Sequence, residues 1–372
     1  MFPDREISDV VVIGGGPAGA TCALALARAG VDVALVYWGG YAPGGIELVS
    51  GQARHFIEQY CPDFFSEAVH GIEIHETVSL WDTAEPVIFN AMFNPWGAGV
   101  AIERPLLDEA LRNLASDAGS TIIPDAKVVG VERQHDRWRL IARSSQEAPS
   151  NETTSGAGER AIYARFIVLA TGRAPLPFFD HVPVSEPSQI ALMTSLQARM
   201  APGHTLYIEG TSRGWWYALP AGKGYFAGFC IERNELKQRQ SRLKDFFFQE
   251  LQCTRLLAPL SAGASDQRPI SGRTAGATTF PVMGGDAWIA VGDATAAPDP
   301  LSGTGIEWAI ESAQLGADML LGALQKSEDN VVFDLPGFEN AIRQRVASRK
   351  KTAAYHYQRL KEIRETKETK ET

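Results

Sequence analysis

The sequence predicts an α/β fold: a parallel, Rossmann-like layer joined to a second, mainly antiparallel-sheet domain. Three observations carry the prediction. Residues 9–38, DVVVIGGGPAGATCALALARAGVDVALVYW, run from a β-branched stretch through a glycine turn and an alanine-rich helix into a second apolar stretch. Two further apolar runs end in glycine turns far downstream, at Ala170, Thr171 and Gly172 and at Gly292 and Asp293. Between them, residues 175–275 change to Pro-rich loops and aromatic strands, notably 205–232, with one helix expected over 236–252. Strands alternating with helices make a parallel layer, whereas closely spaced strands make an antiparallel one.

The first βαβ unit carries G-x-G-x-x-G at Gly14, Gly16 and Gly19. Gly14 allows the sharp turn, Gly16 lets backbone approach a pyrophosphate, and Gly19 lets helix and strand pack closely. The helix start, with Pro17 and Ala18, then offers free N–H groups and a positive dipole end to phosphate. The acidic residue that holds a ribose hydroxyl in this fingerprint is missing. Tyr37 and Trp38 stand there instead, so adenosine is expected to be held differently, by stacking on an aromatic ring, unless both are ordinary strand-end residues.

Further along, residues 40–103 read as a loop, a helix and short strands rich in Ile, Val and Phe. Residues 103–119 read as an amphipathic helix with Leu106, Leu107, Ala110, Leu111 and Leu114 on one face. Arg104 opens it against the macrodipole, which requires either solvent or an adjacent anion. Strands are expected at 121–123 and 127–133, the latter including Val128, and residues 138–143 should pair with 161–170. The polar stretch 144–160 between those two reads as a long mobile hairpin tip, with a sequon at Asn151. A strand ending at Gly292 and Asp293 precedes the loop APDPLSGTG and a helix over 306–324; the charged last 30 residues read as a helix fraying into a solvated tail.

With 372 residues the chain is long enough for two domains at ~100–200 residues each. A net charge of -9 argues against nucleic acid as a partner, and no apolar run approaches the ~20 residues needed to span a bilayer. The opening MFPDREISD has no apolar core, so no secretory signal is expected there and a cytoplasmic location is. Cys22, Cys61, Cys230 and Cys253 lack C-x-x-C spacing and read as reduced thiols; the seven histidines are scattered, so no metal site is expected.

The phosphate turn, the Ala170–Gly172 turn and the Gly292–Asp293 strand end with its glycine-rich helix start form a layout that resembles the two-domain FAD enzymes of the glutathione-reductase-like fold. Within them it is similar to the branch of aromatic hydroxylases, geranylgeranyl reductases and tryptophan halogenases. The resemblance implies FAD as cofactor and a discontinuous FAD-binding domain at 1–45, 98–178 and 275–325. A substrate domain would occupy 46–97 and 179–274, with a C-terminal helix and tail at 326–372. It also implies that Arg104 meets the phosphate and ribityl side, that Asp293 bonds the ribityl chain, and that Val128, Thr171 and Gly172 join the cofactor contacts. Ser302, Gly303, Thr304 and Gly305 would place a helix start at the flavin's pyrimidine edge, where reduced flavin is anionic. The other reading of Asp293 and the Ser302–Gly305 turn is a bare helix cap.

Two segments lie near the halogenases: GGIELVS, residues 44–50, which puts Glu47 near the flavin, and WWYALP, residues 215–220. A halogenase needs a lysine early in the chain, and the first lysine here is Lys127, so halogenation is disfavoured. Together with IELVSGQARHF and DPLSGTGIEWAIESA, WWYALPAGKGYFAGFC resembles the flavoprotein maturases of lysine and glycine oxidases, relatives of the monooxygenase that dihydroxylates tryptophan in quinohemoprotein amine dehydrogenase. The resemblance implies oxygen transfer from a reduced flavin and molecular oxygen to a tryptophan of a partner oxidase precursor; the electron donor stays open. Trp216 and Tyr217, with Trp215, Tyr225, Phe226 and Phe229, would form a water-excluding wall, or ordinary strand core. Glu47 and Asp299 are candidate acid or base groups, or exposed caps. A small-molecule hydroxylase, an isoprenoid reductase and a non-catalytic chaperone of the oxidase are the alternatives.

Overall fold

The computed structural model describes residues 7–39, 44–81, 83, 85–144, 159–176, 178–179, 181–184, 188–237, 242–262, 269–324 and 333–371. Its first layer is a parallel sheet in the order Trp288–Ala290, Glu159–Leu169, Ile7–Ile13, Val33–Val36 and Thr121–Ile123. Alternation along the first strand divides its apolar run between two cores. Val10 and Val12 face helices Pro17–Arg28, Arg104–Asp117 and Gly305–Leu324. Val11 and Ile13 face the antiparallel meander of Ala126–Gln134 and Arg137–Ser144. The run is β-branched and buried on both faces because both are covered. The expected polar tip lies, over residues 145–158 and including Asn151, outside the described residues.

The second layer is a seven-stranded sheet: Ser271–Ala275, Gln189–Gln197, Gly224–Glu232, Gly214–Ala221, Thr205–Gly210, Glu76–Leu80 and Val87–Asn90. Every neighbouring pair is antiparallel except Thr205–Gly210 with Glu76–Leu80. One face is closed by helix Leu243–Gln252, whose Phe246, Phe247, Phe248 and Leu251 pack on Leu192, Trp216 and Phe229. The single helix expected over 236–252 is instead Arg233–Lys237 and Leu243–Gln252, with 238–241 outside the described residues.

A three-stranded sheet of Ile46–Val49, Gly99–Glu103 and Ile72–Ile74 spans the boundary expected at 97/98. It leads directly into helix Arg104–Asp117, where Leu107, Ala110 and Leu111 are buried but Leu106 is 45% exposed. Leu106 is therefore corrected: it lies off the buried stripe. Helix Leu335–Glu371 docks rather than standing apart, with Phe338 and Ile342 in the core of the first layer and Leu360 packed beside the second. No helix among the described residues is long and apolar enough to cross a membrane.

Candidate functional site

The sequence-distant turns meet because each needs a side chain missing from another. A Cβ on Gly14, whose φ is +119°, would run into the Ala170 carbonyl, and one on Gly19 would meet the Gly14 carbonyl and lie 3.1 Å from the Ala170 Cβ. Gly292, at φ +65°, would meet the Ala18 Cβ at 2.6 Å. Its N–H donates to Ser312 Oγ at 2.8 Å and its carbonyl accepts from Trp308 Nε1 at 3.2 Å, which pins the Gly292–Asp293 turn to helix Gly305–Leu324. Gly16 differs. The nearest atom to its Cβ position is Arg104 Nη2 at 3.6 Å, so bare backbone, a helix start and a guanidinium face open space together.

That space is a cavity of about 1340 Å³, beyond the roughly 300–1,000 Å³ of an ordinary small-molecule site. Gly14, Gly16, Pro17, Ala18, Tyr37, Trp38, Glu47, Arg104, Val128, Thr171, Gly172, Tyr217, Asp293, Gly303 and Gly305 all line it. Gly19 and Thr304 do not. Gly19 packs behind the turn, while the Thr304 carbonyl accepts from Trp308 N at 2.8 Å and starts the helix.

Charge in the cavity is paired around Arg104 and Asp293. Arg104 Nε donates to Asp108 Oδ1 at 2.8 Å and its Nη1 lies 3.6 Å from Glu47 Oε1. The anion that a cation at this helix start requires is thus supplied by the protein itself. Burial lowers the guanidinium's proton affinity, but Asp108 and Glu47 together outweigh it and hold Arg104 charged. Burial raises the Glu47 carboxyl against Arg104 and Arg273, and raises the Asp293 carboxyl against Arg173, whose Nε is 3.5 Å from Asp293 Oδ2. Tyr217 is buried enough to stay a neutral phenol. At the other end, the Arg112 guanidinium lies 4.5 Å from the Tyr37 ring centroid and donates to the Gly15 carbonyl at 2.9 Å, and Lys127 Nζ sits 5.6 Å over the Trp38 ring. Cations and aromatic rings occupy the place of the missing carboxylate.

The sheet wall corrects two catalytic assignments. Strand alternation puts Trp215, Tyr217 and Leu219 on the cavity face, continued by Cys230 and Ala191 on one side and by Ile208 and Leu206 on the other. Trp216 falls on the opposite face, fully buried and stacked on Phe229 at 4.3 Å between centroids. Its indole does not reach the cavity. Phe229 and Tyr225 lie in that same core, as the strand-core reading had it. Asp299 is also corrected: it accepts from Leu301 N at 3.0 Å and from the Tyr357 hydroxyl at 2.9 Å, capping the turn Pro300–Ser302 rather than lining the cavity. Asp108, Arg112, Arg173 and Arg273 were missed. Only Asp108 left a trace in the sequence, four residues after Arg104 on one helix face.

The family model of FAD-dependent oxidoreductases matches residues 9–212, more than half of the 372 residues. The chain belongs to the FAD-dependent oxidoreductase family. Among curated relatives, the FAD-dependent oxidoreductase LodB of Marinomonas mediterranea is 26% identical over 318 residues, covering 83% of each chain. A menaquinone reductase of Mycolicibacterium smegmatis is 25% identical, over 84% of this chain and 76% of the relative. Among solved structures, the myxobacterial chondrochloren halogenase CndH superposes with a TM-score of 0.79 at 19% identity, over 95% of this chain and 83% of that one. The peptidyl tryptophan dihydroxylase QhpG, described as essential for tryptophylquinone cofactor biogenesis, superposes with a TM-score of 0.66 at 24% identity, over 96% and 72%.

The cavity of this FAD-dependent oxidoreductase suits its cofactor. A long space with open glycine backbone and Arg104 at a helix start fits a dinucleotide pyrophosphate. Cationic and aromatic groups suit an adenosine at one end, and an apolar sheet wall closes the other.

Proposed function

We propose that this flavoenzyme inserts oxygen into a tryptophan side chain of a partner polypeptide, the precursor of a quinone-cofactor amino-acid oxidase. The observation that carries the reading is the continuity of the cavity wall with an exposed apolar edge. Leu206 is paired with Thr77 and Thr77 with Phe89; Ile208 is paired with Ser79 and Ser79 with Val87. Directly paired residues share a sheet face, so the wall beside the cavity runs outward to Val87 and Phe89, 55% and 64% exposed on the edge strand. Met92 and Phe93 follow, also exposed. An extended polypeptide can add to such an edge through its backbone and present a side chain along the wall. The likeness to QhpG, a peptidyl tryptophan dihydroxylase, supports the same reading.

Bound FAD supplies the redox equivalents and, once reduced, the means of activating molecular oxygen. Each oxygen inserted consumes two electrons and two protons, with the second oxygen atom leaving as water, so an external reductant is required. Gly14, Gly16 and the start of helix Pro17–Arg28 would hold the pyrophosphate with Arg104; Asp293 would bond the ribityl chain; Gly303 and Gly305 would present N–H groups to the pyrimidine edge. Trp215, Tyr217 and Leu219 exclude water from the reacting indole. Glu47, its carboxyl raised by burial, accepts or returns a proton there. Lys127, the first lysine of the sequence, sits over the Trp38 ring, and the lack of an earlier lysine argues against halogenation. The second reading is reduction of a quinone or isoprenoid chain, favoured by the apolar wall and the menaquinone reductase relative.

Co-expression of the oxidase precursor with and without this protein tests the proposal. A gain of one or two oxygens on a precursor tryptophan is expected, lost with Glu47→Gln and reduced with Phe89→Glu. Unmodified precursor beside FAD-loaded protein, together with reduction of a menaquinone, would replace the proposal with the second reading.

A further inference from the structure

The C-terminal helix, beyond the matched residues 9–212, reaches the site from outside both sheets. Arg345 Nε donates to Glu311 Oε1 at 2.6 Å, and Arg349 Nη2 to Glu307 Oε1 at 3.0 Å and Glu311 Oε2 at 2.7 Å, which fixes it to the start of helix Gly305–Leu324. Three turns later Leu360 is buried with Trp215 and Phe226 against the antiparallel sheet. Where the helix crosses between the two layers it carries Tyr357. The Tyr357 hydroxyl oxygen lies 2.9 Å from Asp299 Oδ1 and 3.0 Å from Gln189 Oε1, and accepts from Trp215 Nε1 at 3.3 Å.

These three partners belong to different parts of the site. Asp299 caps the turn that leads into Gly303 and Gly305, Trp215 stands on the cavity wall, and Gln189 opens strand Gln189–Gln197. A phenol has one proton for two acceptors. The ionised Asp299 carboxylate is the stronger acceptor and takes it; only when Asp299 carries its own proton can it donate to the tyrosine oxygen and free that proton for Gln189. Burial raises both the Asp299 carboxyl and the Tyr357 phenol, which keeps the tyrosine neutral and able to donate.

We propose that Tyr357 is a positioning residue: its hydroxyl locks the Asp299–Gly305 turn and the Trp215 indole into one arrangement, so that the C-terminal helix completes the cofactor site. The inference rests on FAD occupying the cavity and on the turn facing the flavin. It does not rest on the substrate, so failure of the partner-tryptophan reading leaves it standing.

The test uses FAD-loaded full-length protein and a double-mutant cycle of Tyr357→Phe with Asp299→Ala. FAD affinity, the flavin's visible absorption band and its midpoint potential are the readouts. Tyr357→Phe is expected to weaken FAD binding by about tenfold, the equivalent of one charge-assisted hydrogen bond, and to shift the band and the potential. Asp299→Ala should reproduce those shifts, and the double variant should add nothing further. Asp299→Asn retains an acceptor for Leu301 N and for Tyr357, so it should stay near wild type, and it keeps the test decisive if Tyr357→Phe folds poorly. A lower melting temperature with unchanged flavin band and potential would mean that Tyr357 is structural glue only. Full additivity in the cycle, or Asp299→Asn behaving like Asp299→Ala, would equally overturn the proposal.

Discussion

The two ends of the cavity are built on different physical rules. The phosphate end is made of backbone, and its residues are fixed by where a Cβ cannot go: Gly14 against the Ala170 carbonyl, Gly19 against Gly14, Gly292 against Ala18. The wall end is made of side chains, and its membership is fixed by which face of a strand each residue takes. Trp215 lines the cavity while Trp216, one residue on, is core. Spacing in sequence therefore reveals the first kind of site, whereas the second depends on a register that a shift of one residue inverts.

Substitutions at the two glycines should separate the roles within the phosphate end. Gly16→Val is expected to fold, because no protein atom lies within 3.6 Å of its Cβ position, yet to abolish FAD binding. Gly14→Ala should instead destabilise the apoprotein by on the order of 3 kcal/mol, since φ is +119° and the carbonyl of Ala170 is in the way. Apoprotein melting and flavin titration read the two effects. Equal FAD affinity in Gly16→Val and wild type would break the assignment.

At the wall, Trp216→Ala should cost about 3–5 kcal/mol of stability while the folded fraction keeps its FAD affinity. Trp216→Phe should cost much less, because the stack on Phe229 survives and the indole N–H is without a partner among the described residues. Trp215→Phe loses the indole's bond to the Tyr357 hydroxyl, so it should lower stability modestly and alter turnover. Denaturant unfolding beside activity assays checks the pair, and a Trp216→Phe variant that folds normally but is catalytically dead would return Trp216 to the site.

Asp293→Ala is expected to weaken FAD binding by about 1–3 kcal/mol, measured by titration of the apoprotein; unchanged affinity would leave Asp293 as a cap alone. The smallest effect concerns Glu47. Its folded carboxyl is raised above 4.5 by burial, so the native state holds the proton more tightly than the unfolded chain. Stability is then present below pH 4.5 and is lost as pH rises through the folded value. Glu47→Gln should flatten that decline in denaturant midpoints of the apoprotein; an identical slope in both proteins would argue against a raised carboxyl.

Much of the fold was legible because local rules coincide with it: the βαβ unit and the Ala170–Gly172 turn occur as expected. Residues 138–143 do pair with the strand expected over 161–170, but with its first half, residues 159–164, while residues 166–169 pair with the first strand. The contacts that were not legible are long-range. Arg173 meets Asp293 across 120 residues of chain and Tyr357 meets Asp299 from a helix whose charged sequence reads as a solvated tail. No periodicity encodes such pairs. Asp299 stayed open between acid or base and cap for the same reason, since a carboxylate in a polar loop reads alike whether it faces a cavity or caps a turn; the structure gives the cap.

The most direct measurement supplies the FAD-loaded protein with a reductant, isotopically heavy dioxygen and the purified oxidase precursor, then follows the precursor's tryptophan peptide by mass spectrometry. The account predicts heavy oxygen on that tryptophan at the expense of the reductant, and no product from free tryptophan with chloride or bromide. An unlabelled peptide while free tryptophan or another small aromatic turns over efficiently would contradict it.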